Sequence, residues 1–249
     1  MQTLIGDIVN WLRRTIFRRR RPVGTKITYA LPRSAVFSKF YNRDTLFDQV
    51  DWSDWGSVID GFQLRFIGWY FDPLAAFPKT GHEAYPVLCA MCALVDVFTH
   101  YEAGHDWHND RNYKEFLRKM DPVFRTKLAS KITTSRHRNG SWTVGVLKDF
   151  ADVFYTGVRC SLHHHGDLAS FAGMSGTGRL AQERPNAGTS TCGTHSYPLV
   201  IFDPWKVRDA LRAWFDGYCD GLRTNPRSER ATRFRRRFES DFGISIPQP

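Results

Sequence analysis

Residues 143–166 read TVGVLKDFADVFYTGVRCSLHHHG. Within them Leu147, Phe150, Ala151, Phe154, Val158 and Leu162 recur every three or four positions, which predicts a helix over about 143–163 with one apolar face turned to a core. Gly166 ends the pattern, as glycine commonly does just past a helix end.

Further helical periodicities flank this one. Trp55, Ile59, Phe62, Phe66 and Trp69 mark a helix over 52–71 that should end before Pro73. Val87, Leu88, Met91, Leu94, Val95 and Phe98 mark a central core helix over about 83–101, and shorter helices are expected at 112–119 and 121–131. Segment 133–142, TTSRHRNGSW, reads as a basic loop. The Gly-rich interval 166–196 reads as a flexible loop, with room for a short β-hairpin, and Tyr197 to Phe202 as one strand. Asp203-Pro204 is an N-cap followed by proline at the first helical position, opening a helix to about 222. A last basic helix is expected at about 226–242. The fold class is therefore mainly α, a helical bundle.

Composition sets the outer limits. In 249 residues, 42% apolar with 14% aromatic excludes general disorder. The longest apolar stretches are far shorter than the roughly 20 residues of a membrane-spanning helix, so no membrane span is expected. Cys89, Cys92, Cys160, Cys192 and Cys219 are odd in number and scattered among core-type neighbours, which suits buried thiols in a reducing cytoplasm better than a disulfide framework.

The net charge of +10 is placed unevenly: residues 1–21 carry six Arg and one Asp, and residues 223–237 seven Arg and one Glu, so the body between them is close to neutral. The chain divides accordingly into a basic amphipathic N-terminal helix over 4–17 with a linker to residue 32, a helical domain over 33–224, and a basic C-terminal helix or tail over 225–249. Arginine presents a planar fork of donors to phosphate oxygens, so Arg136, Arg138, Arg230, Arg233, Arg235, Arg236 and Arg237 are candidate contacts for a nucleic acid. The alternative is a solvated charged tail.

Phe154-Tyr155, then Arg159, four intervening residues and His164, at the end of a core helix, resemble the motif of the HEPN superfamily. The surroundings are similar as well: a long apolar helix upstream, a Gly-rich interval after the motif, then an Asp-Pro-Trp helix start at 203–205. The resemblance covers roughly residues 55–222. It implies a metal-independent endoribonuclease without a cofactor, acting as a homodimer on RNA, with a role as a toxin or defence effector and a regulatory or neutralising protein as partner. The position after the Arg, often polar in the family's nucleases, is Cys160. A Tyr that one toxin branch modifies is replaced by Gly166, so control by nucleotidylation is not implied.

The chemistry explains the economy of the pair. RNA carries its own nucleophile, the 2′-hydroxyl, so a protein need only move protons and stabilise the charge of the phosphorane; histidine serves the first and arginine the second. Helix geometry leaves the histidine open, since four residues turn about 40° and five about 140°. His163 lies nearer Arg159 on a straight helix, whereas the resemblance points to His164, in a frayed end or a site composed across a dimer. Three further readings stand beside the enzyme. Arg159 pairs with Asp96 or Asp152 and the three histidines only cap the helix; or the chain is an inert HEPN-like module that binds RNA, a nucleotide or a protein; or His100, Glu102, His105 and His108 join His163 to His165 in a metal-dependent hydrolase. The GMSGTG segment at 173–178 lacks the lysine of a phosphate-cradling loop.

Overall fold

A computed structural model describes residues 36–40, 43–46, 49–79, 81–105, 109–138, 141–176, 178–189 and 196–246; the expected N-terminal helix at 4–17, its linker and His108 lie outside these residues. The described chain is mainly helical with small sheets, as the periodicities predict.

Helix α1 (Trp55–Phe66) opens on Asp54, whose carboxylate accepts from the Ser57 amide at 2.7 Å. It runs on through a π-helical turn, Ile67–Phe71, into α2 (Asp72–Ala75), past the expected stop at Pro73. The widened turn shifts the hydrogen-bond register, and Pro73 falls in the first positions of the next turn, where no amide donor is required. Helix α3 (Ala84–Ala103) is the central rod, with Val87, Leu88, Met91, Leu94 and Val95 wholly buried. Its length and apolar character match a membrane span, but most of its surface is covered by the protein itself.

Helix α4 (Asp110–Met120) and a 3-10 turn, Pro122–Arg125, lead into the largest departure from expectation. Neither the 121–131 helix nor the 133–142 loop forms. Strands β3 (Lys127–Arg138) and β4 (Ser141–Asp149) pair antiparallel as a long hairpin, and the helix expected from 143 begins only at Phe150. The physical cause is alternation: Ile132 and its partner Leu147 are buried, while Lys131, Thr133, Val146 and Lys148 are exposed. At the base of the hairpin, the Glu183 carboxylate accepts from the amides of Ala129 and Ser130 at 2.7 and 2.8 Å.

Asp149 switches strand to helix by accepting from the Asp152 amide at 3.0 Å. From there α5 (Phe150–Val153), a π-helix (Phe154–Cys160) and α6 (Ser161–His165) form one continuous rod. Gly157 is required within it. A Cβ there would stand 2.6 Å from the Phe171 ring, and the Gly157 carbonyl accepts from the Ala169 amide at 2.9 Å.

The Gly-rich interval is not all loop: β5 (Ala172–Met174) and β6 (Ala181–Thr189) flank β7 (Ser196–Phe202) in a three-stranded sheet of order β5-β7-β6, parallel on one side and antiparallel on the other. A separate short pair, β1 (Val36–Phe40) with β2 (Arg43–Leu46), precedes α1.

Helix α7 (Pro204–Thr224) starts as expected, Asp203 accepting from the amides of Trp205 and Lys206 at 3.0 and 3.1 Å. Helix α8 (Glu229–Phe242) is no loose tail: Ala231, Phe234 and Phe238 are buried, and Phe234 packs against Phe62 and Tyr101 with ring centroids 5.0 and 5.6 Å apart. Residues beyond the expected boundary at 224/225 thus share the core of the helical domain, as far as Ile246.

Candidate functional site

The rod α5–π–α6 is tied to α3 by Arg159, the one charged side chain of the π-segment. Nε and Nη2 of Arg159 both donate to Oδ2 of Asp96, at 3.2 and 3.0 Å. The two side chains keep only 17% and 14% of their surface. Below the guanidinium lie two rings, Tyr155 and Tyr113, with centroids 5.7 and 6.0 Å from Cζ. Burial pulls the Arg159 pKa down, but Asp96 and the neighbouring phenols and thiol raise it further, so the net direction is upward and the charge is permanent. Burial also pushes Cys92 and Tyr113 well above their usual values, so both stay neutral beside it.

Of the two carboxylates weighed as partners, Asp96 takes Arg159. Asp152 is committed elsewhere, to Lys114 at 3.2 Å, to Arg118 at 3.4 Å and to the Lys148 amide at 2.9 Å. Arg118 also grips Asp149 at 2.9 Å. This chain of charges ties α4 to the strand-to-helix junction and fixes the start of the rod that carries Arg159.

The rod remains helical through His165, where Gly166 takes a left-handed φ of 73° and its amide bonds back to the Leu162 carbonyl at 3.1 Å. His164 therefore does not reach Arg159 by fraying. It is exposed, as is His165, and stands about 140° round the helix from Arg159, whereas His163 is half-buried about 40° away. Both ring nitrogens of His163 are covered from solvent. Arg159 and His163 are thus brought to one side, and His164 presents the accessible imidazole on another.

The remaining candidates separate. Among the described residues no three His, Cys, Asp or Glu side chains gather as a metal site, so His100, Glu102 and His105 do not join His163 to His165. Most of the C-terminal arginines are matched by acids: Arg230 with Glu102 at 3.4 Å, Arg233 with Glu229 at 2.7 Å, Arg235 with Glu239 at 4.0 Å, and Arg237 with Asp241 at 3.0 Å. Arg236 is exposed. Arg136 and Arg138 lie on β3, opposite Thr143 and Ser141. A groove of about 540 Å³ between α1 and α7 shares no residue with the Arg159 cluster; its Arg223 is already held by Asp60 at 2.7 Å and by Gln63.

Sequence reasoning passed over Tyr113 and Lys114 as parts of this cluster, and took Tyr155 only as part of the motif. Tyr113 and Lys114 sit on a separate helix with no spacing relation to Arg159, so only the fold brings them together. No family model, curated protein or solved structure matches this chain.

Proposed function

We propose that this protein is a metal-independent endoribonuclease of HEPN-like type, in which Arg159 stabilises the charge of the phosphorane and His164 carries the proton. One observation supports this above the others. Asp96 occupies Nε and Nη2 of Arg159, no hydrogen bond among the described residues uses Nη1, and the side chain keeps some exposure beside a helix end rich in histidine. A guanidinium oriented on two of its donors meets a phosphate oxygen with the third at little entropic cost. The 2′-hydroxyl is the nucleophile, so a strand lacking it is left whole. Because His164 points away from its own Arg159, we assign the site to two copies of the chain across a two-fold axis, the imidazole of each completing the other's cluster.

A second reading has an observation of its own. Asp96 neutralises Arg159 within the fold, and this favours an inert module that binds RNA, a nucleotide or a protein partner. RNA incubated with the protein in excess EDTA separates the two. Cleavage leaving 2′,3′-cyclic phosphate ends supports the enzyme; binding without cleavage under any condition supports the module. Cleavage that vanishes with EDTA and returns with zinc or manganese removes both in favour of a metal-dependent hydrolase.

A further inference from the structure

We propose that the β3–β4 hairpin, and not the arginine-rich C-terminal helix, is the surface that grips single-stranded RNA; the choice of RNA rests on the ribonuclease reading above. The argument begins with which cations are already spoken for. On α8, Arg230, Arg233, Arg235 and Arg237 each face a carboxylate within 4.0 Å, so a phosphate arriving there would have to displace an acid. On the hairpin, Lys127, Lys131 and Lys148 are exposed, and none of them enters a side-chain ion pair or hydrogen bond among the described residues. Residues 127–149 hold five basic side chains and one acidic, and that one, Asp149, is bound to Arg118. The hairpin therefore carries positive charge that no carboxylate among the described residues answers.

Register adds a second feature. Ile132 and Leu147 turn inward, so Lys131, Thr133, Val146 and Lys148 share the outward face, where Val146 is 50% exposed. In register the ribbon continues through the pairs Ser135–Val144 and His137–Trp142. Exposed lysines along a ribbon suit unpaired nucleotides, whose phosphates they follow, and the sequence supplies Trp142 farther along β4 as a candidate for sequence-tolerant stacking. Duplex RNA keeps its base faces stacked inside the helix, and its major groove is too deep and narrow to admit a ribbon. The base of the hairpin is anchored to β6 by Glu183, which accepts from the amides of Ala129 and Ser130.

The test is fluorescence anisotropy with a labelled 15-residue 2′-O-methyl oligouridylate, which lacks a free nucleophile and cannot be cut, titrated in EDTA from low to moderate salt. Lys127→Ala, Lys131→Ala and Lys148→Ala combined should lower the slope of log affinity against log salt by about 2, three contacts at about 0.7 each for a single strand. The Lys→Arg triple should keep the slope, which separates lost charge from a lost fold. Trp142→Ala should weaken binding about tenfold with the slope unchanged. Arg235→Ala with Arg237→Ala should leave the slope where it was. An unchanged slope in the triple alanine variant, a larger loss from the C-terminal pair, or no binding by the unmodified protein overturns the proposal. Binding through the hairpin by a protein that never cuts natural RNA removes the ribonuclease and leaves this surface standing.

Discussion

Replacing Asp96 with alanine removes the acceptor of both Arg159 hydrogen bonds and leaves a guanidinium with 17% exposure facing α3 unmatched. Breaking a fully buried pair from one side costs about 3–5 kcal/mol. Residual exposure of both partners lets water answer part of the lost charge, so about 2–3 kcal/mol is expected here. At about 2–4 °C per kcal/mol for a chain of this size, the melting temperature should fall by roughly 5–10 °C. Arg159→Met should cost less, because a methionine covers Tyr113 and Tyr155 without needing a counter-ion, though it strands Asp96. Urea unfolding of both single variants and of the double variant closes a thermodynamic cycle, and the coupling should be about 1.5 kcal/mol or more. A coupling near zero, with Asp96→Ala as stable as the parent, would refute the pairing and with it the orientation of Arg159 on which the functional proposal depends.

Three other perturbations probe the frame around the site. Gly104 and Gly166 both have φ of 73°, but a Cβ at Gly104 would lie 2.8 Å from Cβ of Arg233 while one at Gly166 meets nothing; Gly166→Ala should therefore cost only the left-handed strain of about 1–2 kcal/mol, and Gly104→Ala clearly more, as α8 is pushed off α3. Equal losses in chemical denaturation would contradict the close approach. Phe234→Ala should cost about 3–5 kcal/mol by cavity formation, and a loss below about 1 kcal/mol would return α8 to the status of a tail. Burial pushes the Tyr70 phenol from its ordinary 10.0 up to about 12, against the opposing pull of Arg65. A pKa raised in the fold means stability that is full below pH 10 and lost as pH rises through about 12, so Tyr70→Phe should be more resistant than the parent in that window. Identical alkaline unfolding curves, followed by circular dichroism and absorbance at 295 nm, would show that Tyr70 titrates normally.

The helices that pack on one face were legible because their periodicity is the physical cause of their burial. The stripe Val207, Leu211, Phe215, Tyr218 and Leu222 and the Asp203 cap could be read directly, and so could α3 and the span of α8. The hairpin was not read, although its signals are present: β-branched Ile132, Thr133, Thr134, Thr143, Val144 and Val146, and Asn139-Gly140 between Arg138 and Ser141, a two-residue turn pair of the kind hairpins favour. Leu147 misled because it continues the helical stripe of 150–162 in sequence, while in space it points inward from a strand. The basic helix misled in another way. Charge counted along the chain says nothing of the acids that fold against it: Glu102 comes to Arg230 from the far end of α3, whereas Glu239 and Asp241 sit one helical turn from Arg235 and Arg237 and were overlooked. Arg159 and Asp96, 63 residues apart, could be weighed as partners, but the choice between Asp96 and Asp152 depended on Lys114 and Arg118, which only the tertiary fold brings to Asp152.

The most direct measurement of the central claim is cleavage of a single-stranded RNA in excess EDTA beside the same strand carrying 2′-deoxy residues throughout. Cutting of the first only, with 2′,3′-cyclic phosphate ends, is the predicted result, and Arg159→Ala and His164→Ala should each slow it about 100-fold or more while the protein stays folded, as loss of charge stabilisation or of proton transfer commonly does. His163→Ala and His165→Ala should cut at near the parental rate. Cleavage of both strands, or of RNA by the Arg159→Ala variant at the parental rate, would contradict the account.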